Sequence, residues 1–359
     1  MSMRIVGIGT AVPRHRITQD DAAQITEPFA CETSAQRRRF LATYRLSGVE
    51  TRHSVVLEAS EGDLDSRQSF FAANHPRTSD RMRLYEQEAG ALAESAARDA
   101  LTESALPPAR VTHLVTVSCT GFHAPGLDCA LIQDLGLSRG VARTHVGFMG
   151  CHGLLNGLRV AHAFLGADPA ACVLVCAVEL CSLHHQYGWD PEKIVANALF
   201  ADGAGAVVGV GGTSRTASDA YRVVASGSTL VDDSQDAMGW RVGDHGFEMM
   251  LSPRVPDLIG QHVRPWLDGW LGQHGLTIES VGSWAVHPGG PRILSAFGAA
   301  TGIDRAALAP SVQVLADYGN MSSPTVLFIL DRLRRAGAAR PCVAIGFGPG
   351  LAIEAALLA

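Results

Sequence analysis

Short apolar runs of strand length alternate with helical patterns along the whole chain, and the alternation comes round twice. In the first half the pattern predicts a strand at 4–9 (RIVGIG), a polar helical region over about 20–105 and a strand at 113–118 (HLVTVS). The loop CTGFHAPG then leads to a helix at 127–136, a helix from Cys151 to about 165, and strands at 172–178 (CVLVCAV) and 204–210 (GAVVGV). The second half predicts a strand at 221–226 (YRVVAS), an apolar helix at 255–272 and a strand at 282–286 (GSWAV) running into His287. A Gly-Asn turn at 319–320 enters a helix at 323–335, and strands at 342–346 and 351–357 close the chain. Such alternation favours a layered α/β fold. Each half also has a helix entered from a Gly-containing turn that carries a polar residue. An internal pseudo-duplication is therefore expected, with halves at 1–215 and 216–359.

Composition narrows the class. With 359 residues, 47% hydrophobic and 18% charged, the chain can bury a large core and is not of the disordered type. A net charge of −6 gives no electrostatic footprint for nucleic acid. Lys193 is the single lysine, so Schiff-base chemistry would rest on it alone. The eight cysteines (Cys31, Cys119, Cys129, Cys151, Cys172, Cys176, Cys181 and Cys342) lie mostly inside apolar runs and show no paired spacing. No signal peptide precedes them, which predicts reduced thiols and a cytoplasmic protein. No uncharged apolar run approaches the ~18 residues of a membrane span.

The stretch FMGCHGLLNGL sets a cysteine beside a histidine at the start of a helical pattern. Cys151 is expected in the first turn, where unpaired N–H groups and the positive end of the dipole favour a thiolate. Gly150 and Gly153 leave room beside the sulfur. His152 is a poor base for it, because adjacent helical residues point ~100° apart. Two better-placed partners lie far along the chain. His287 ends an apolar strand in front of Pro-Gly-Gly, and Asn320 sits in a turn directly before a helix, positions that suit chemistry.

GCHGLLNGL, AVHPGGPRIL, YGNMSSPTVLFIL and GFGPGLAIE, in this order and at these separations, resemble the type III polyketide synthases, the chalcone synthase-like family. NALFADGAGAVVGVG at 197–211 resembles the family's segment between its halves, and the likeness runs from GIGTAVP to GFGPGLAIE. The resemblance implies a thiolase-like five-layered αβαβα fold and a homodimer, with the site buried at the base of a CoA tunnel. It implies Cys151 as the acyl-accepting nucleophile and His287 as its imidazolium partner. Asn320 becomes a second donor to the thioester oxygen, and Phe200 the aromatic at the tunnel junction. The substrates implied are an acyl-CoA starter and malonyl-CoA, with no other cofactor and no metal. The chemistry suits these residue types: thiolates exchange with thioesters, and neutral or cationic donors stabilise the enolate left when malonyl loses CO₂.

By the same likeness Cys119, Thr120, Cys181, His184, Trp240, Met249, Ser322, Gly348 and Pro349 line the substrate pocket. The plant enzymes carry smaller hydroxyl residues at the first, third and fourth of these, glycine at Trp240 and phenylalanine at Met249. MGWRVGDHGFEMMLS is closer to bacterial members, several of which take fatty acyl starters and release alkylpyrones or alkylresorcinols. Ala124 replaces a methionine that in plant relatives reaches across the dimer. Among Arg37, Arg38, Arg39 and Arg45, the candidates for the CoA phosphates are Arg39 and Arg45. Three alternatives remain open at this point. They are an initiating ketoacyl-acyl carrier protein synthase, a papain-like cysteine peptidase, and a zinc site from Cys151, His152, Cys181, His184 and His185, which lacks metal-ligand spacing.

Overall fold

The computed structural model describes residues 2–72, 75–212 and 221–359, so the expected boundary at 215/216 lies outside the described residues. The first half runs β1 (Met3–Ala11), β2 (Arg16–Thr18), α1 (Gln19–Ala30), α2 (Ser34–Leu46), β3 (Thr51–His53), α3 (Thr78–Ser104), β4 (His113–Ser118), α4 (Leu127–Leu135), β5 (Ala142–Gly147), α5 (Gly153–Ala167), β6 (Cys172–Leu180), α6 (Pro191–Leu199) and β7 (Asp202–Val210). The second runs β8 (Arg222–Leu230), β9 (Met238–Gly243), β10 (Gly246–Leu251), α7 (Val255–Gly272), β11 (Ser283–Val286), α8 (Pro291–Thr301), α9 (Ala309–Tyr318), α10 (Thr325–Arg335), β12 (Cys342–Gly348) and β13 (Ala352–Leu358).

The polar region read as helix over about 20–105 is broken. Thr18 caps α1 and a Thr33/Gln36 capping box starts α2, but residues 54–77 form no α-helix among those described. The structure also adds β5, the β9–β10 hairpin, α6, α8 and α9 to the expected elements.

The duplication is visible in the strand order β11-β12-β13-β8-β1-β7-β6-β4-β5. In the first half β4 pairs parallel with β6, which pairs antiparallel with β7, which pairs antiparallel with β1. In the second half β11, β12, β13 and β8 repeat those three relations in the same order. Among the described residues the half-sheets pair through β1 and β8, at Met3–Val223 and Arg4–Arg222, with Ile5 N bonded to Tyr221 O beside them.

Side-chain alternation sorts the core into layers. On β6, Val173, Val175 and Ala177 face a central cluster with α5 and α10, while Cys172, Leu174 and Cys176 face α3 and α4. On β12, Ala344 joins the central cluster, and Val343 and Ile345 pack against α7 and α8. Helices thus lie outside each half-sheet and between them, the five-layered αβαβα thiolase-like arrangement. Strands buried on both faces must be apolar throughout, which is why CVLVCAV shows no alternation. Burying each leucine or valine of these layers contributes about 1.5–3 kcal/mol. Gly7 and Gly9 let α3 lie directly on β1, since a Cβ there would stand 2.0 and 2.1 Å from the carbonyls of Ala100 and Ala96.

Candidate active site

The two central helices, α5 and α10, begin beside each other. A Cβ on Gly153 would lie 3.5 Å from Cβ of Ser323. Cys151 sits in a 3-10 turn, Gly150–His152, that runs into α5, so the sulfur precedes the α-helix rather than riding in its first turn. The side chains of Ser322 and Asn320, both from the approach to α10, act on its thiol and lower its pKa. Asn320 Oδ1 accepts from Ser322 N at 2.8 Å, which leaves its Nδ2 as the donor end. The Asn320 backbone is held in turn by Leu199 O and Ala201 N, the residues flanking Phe200.

His287 follows β11 directly, its N–H bonded to Ile345 O at 2.8 Å. The residue is 1% exposed and neither ring nitrogen has a hydrogen-bond partner. A buried imidazole with two unused nitrogens is costly unless a ligand completes it. Burial pushes His287 down to about 3. Burial also pushes the Cys151 thiol up to about 11, against the pull of Ser322 and Asn320. Charging either group alone is therefore unfavourable.

Cys151 and Ser322 line a cavity of about 150 Å³ with predominantly apolar walls, whereas His287 and Asn320 stand behind that wall. Cys119, Thr120, Cys151, Cys181, His184, Phe200, Trp240, Met249, Ser322 and Pro349 all line it. Arg52, Val56, Leu57 and Phe71, and Ile17, Ala22 and Ile25 near the start of α1, line it as well.

The family model described as chalcone and stilbene synthases, N-terminal domain, matches residues 2–213, and its C-terminal counterpart matches 222–359. The chain belongs to this family. It is a type III polyketide synthase, an acyltransferase that joins CoA-borne acyl units by decarboxylating condensation. An alpha-pyrone synthesis polyketide synthase-like protein of Mycobacterium tuberculosis is 34% identical over 98% of this chain and 90% of its own length. The 1,3,6,8-tetrahydroxynaphthalene synthase of Streptomyces peucetius subsp. caesius is 34% identical over 99% and 92%. Among solved structures, PKS-I from the brown alga Ectocarpus siliculosus superposes with a TM-score of 0.94 at 30% identity, covering 99% of this chain and 98% of that one. The match over both halves removes the papain-like reading of the Cys, His, Asn order.

One position in this type III polyketide synthase, Gly348, differs from expectation. Gly348 does not line the cavity; it backs onto His152, where a Cβ would stand 2.4 Å from the ring Cδ2 and 2.7 Å from Nε2. Gly348→Ala is expected to cost about 1–3 kcal/mol through overpacking, read as a lower melting temperature. Arg39 and Arg45 are exposed on α2 and take no part in the cavity wall, because the buried face of α2 is used by Phe40 and Tyr44. His152 is 4% exposed and bonded through Nδ1 to Asn156 Oδ1 at 2.7 Å, turned to its own helix. Among the described residues no His/Cys/Asp/Glu cluster is arranged to hold a metal ion, and no helix is long and apolar enough to cross a membrane.

Glu179 was not anticipated. This fully buried carboxylate accepts from Cys119 N at 3.0 Å, Thr120 Oγ1 at 2.7 Å and Ser323 Oγ at 2.8 Å. Burial raises its pKa and those hydrogen bonds lower it; its charge in turn raises the thiols of Cys119 and Cys151. The signal was a lone glutamate closing an otherwise apolar strand, CVLVCAVEL.

Proposed function

We propose that Cys151 is the nucleophile that takes the starter acyl group from its CoA thioester, with His287 and Asn320 as the oxyanion donors. The observation that carries this is Cys151 in the cavity wall, its pKa lowered by Asn320, together with a buried His287 whose nitrogens are both unspent. The thiol proton passes to His287, the sulfur attacks the thioester carbonyl, and CoA leaves as its thiolate. Malonyl-CoA then loses CO₂. The bonding pair remains as an enolate whose oxygen accepts from Asn320 Nδ2 and the His287 N–H, each donor worth a few kcal/mol in a dry site. The enolate carbon attacks the acyl-Cys151 carbonyl and expels the Cys151 thiolate, lengthening the chain by two carbons.

The starter in this reading is a fatty acyl-CoA, and the product an alkylpyrone or alkylresorcinol. A predominantly apolar wall suits an alkyl chain, and one relative is named for alpha-pyrone synthesis. Arg39 and Arg45, on the solvent face of α2, supply cations for the CoA phosphates, and the chemistry uses nothing beyond the CoA thioesters. Phe122, Phe148 and Met149 are 55%, 62% and 43% exposed next to the Cys151 turn, an apolar patch that a second copy covers in a homodimer. The enzyme works in the cytoplasm, where its free cysteines stay reduced.

A panel of acyl-CoAs from acetyl to palmitoyl, each with malonyl-CoA and no carrier protein, tests the substrate assignment by mass spectrometry. Long-chain starters are expected to give the highest kcat/KM. Preference for acetyl or malonyl starters, or strict dependence on a carrier protein, would defeat it.

A further inference from the structure

The single lysine of the chain stands in the cavity wall. It belongs to the one face that α6 turns to the cavity: Lys193, Ala196 and Asn197, with Phe200 as the C-cap, follow the i, i+3, i+4, i+7 spacing of one helix side. At 1.5 Å per residue, Lys193 lies about 10 Å along the helix from Phe200. Both ends of α6 are fixed. At the inner end Ala201 N donates to Asn320 O and Asn320 N to Leu199 O, each at 2.9 Å, so the helix stops against a residue of the proposed reaction centre. At the outer end Asp190 Oδ1 accepts from Glu192 N at 2.9 Å and from Lys193 N at 3.3 Å.

Lys193 is also the uncommitted cation of this wall. Arg52 is the only other lysine or arginine that lines the cavity, and it is 7% exposed. Its Nη1 donates to Asn197 O at 2.7 Å and Phe200 O at 2.9 Å, and its guanidinium lies over the Tyr44 ring. Among the described residues Lys193 Nζ makes no hydrogen bond. Its one ionic contact is Glu248 Oε2 on β10 at 3.7 Å, with 27% and 48% of the two side chains exposed. A loose, partly exposed pair of this kind contributes little and is readily exchanged.

The surroundings permit that exchange. Glu248 sits directly opposite Arg241 in the hairpin register, so a cation still faces it when Lys193 turns away. Glu192 Oε2 accepts from Leu251 N at 3.3 Å, which keeps α6 joined to β10 without the ion pair. No described Asp or Glu lines the cavity, so Glu248 is the carboxylate that competes for Lys193. An anion that displaces Glu248 has to be the stronger acceptor. A phosphate qualifies, and a compact ammonium on a flexible stem suits it. The first charge met along a CoA thioester, counting outward from the sulfur, is the phosphate that ends the pantetheine arm.

We propose that Lys193 binds this arm-side phosphate of the CoA thioester and gives up Glu248 in exchange. The arm then lies along α6, with its sulfur end at Cys151 and its phosphate end at Lys193. The phosphates on the adenosine side stay with Arg39 and Arg45. The inference rests on the CoA-dependent reading above.

The test is calorimetric titration of the whole chain with three ligands that share one arm: coenzyme A, 4′-phosphopantetheine and pantetheine. Lys193→Met is expected to weaken the first two about tenfold, as loss of a hydrogen bond to a charged group does, and to leave pantetheine unchanged. Lys193→Arg, which keeps the charge, should restore binding to within about threefold of wild type. Glu248→Gln removes the competitor and should tighten both phosphate ligands about twofold. In turnover, Lys193→Met should raise KM for CoA thioesters with kcat near wild type, the pattern of uniform binding. Wild type supplies a check that needs no variant: added salt should weaken 4′-phosphopantetheine and spare pantetheine. An equal loss for pantetheine would mean that Lys193 acts on the arm or the fold, and overturns the proposal. A loss for coenzyme A without one for 4′-phosphopantetheine moves the contact to the other phosphates and overturns it too. Binding is read without condensation, so the two readings fail separately. A chain that binds as expected but condenses nothing defeats the function alone, and one that condenses while Lys193→Met binds normally defeats this inference alone.

Discussion

Cys151→Ala is expected to abolish polyketide formation, by at least about 10⁴-fold in kcat, since removing a nucleophile disables the machinery built around it. Loss of malonyl-CoA decarboxylation should be much smaller. The two steps draw on different atoms. Acyl transfer needs the sulfur, whereas the enolate needs donors to its oxygen, and His287 and Asn320 remain. Alanine also removes the group that Ser322 and Asn320 act on, which frees the Asn320 amide for the thioester. The assays are product yield by mass spectrometry and CO₂ release from malonyl-CoA in the same sample. Normal product yield from the variant would exclude Cys151 as the acyl carrier.

Asn320→Asp should behave in the opposite way. The carboxylate can still accept from Ser322 N, so the turn before α10 keeps its 2.8 Å bond and the chain should fold. The change falls on the other end of the side chain, where an N–H donor becomes an anionic acceptor. Losing one oxyanion donor costs about 10²–10³-fold in kcat. The added negative charge repels both malonyl and the enolate, so decarboxylation and condensation should fall together. Starter loading, measured as covalent mass on Cys151, should suffer less because the acyl thioester starts out neutral. Decarboxylation at the wild-type rate would remove Asn320 from the oxyanion role.

Much of the fold was legible because its elements are strongly patterned. HLVTVS and the helix at 255–272 fall where expected, the first buried nearly throughout and the second showing a clear apolar face. Less patterned elements were missed for identifiable reasons. β5 is an edge strand with no fully buried residue, so ARTHVG carries no apolar rhythm. The β9–β10 hairpin packs on a cavity rather than on a sheet face, and its glycines and arginine hide the alternation. At the site, Cys151, His287 and Asn320 each stand at the end of an element, where sequence pattern is sharpest. Glu179 reads as ordinary until its partners are known, since Cys119, Thr120 and Ser323 come from two other segments. Gly348 was placed by motif alone, and a motif does not say which way a glycine faces.

The repeated topology has a consequence for how the chemistry is partitioned. The first half holds Cys151 and the second holds His287 and Asn320, so with the roles proposed for them neither half contains a reaction centre by itself. The strand contact between them is two residue pairs. What keeps nucleophile and donors in register is the central helix layer, packed on both half-sheets. The proposed reaction centre thus lies at the seam between the two repeated halves, and the same apolar contacts that join the halves would align the reacting atoms.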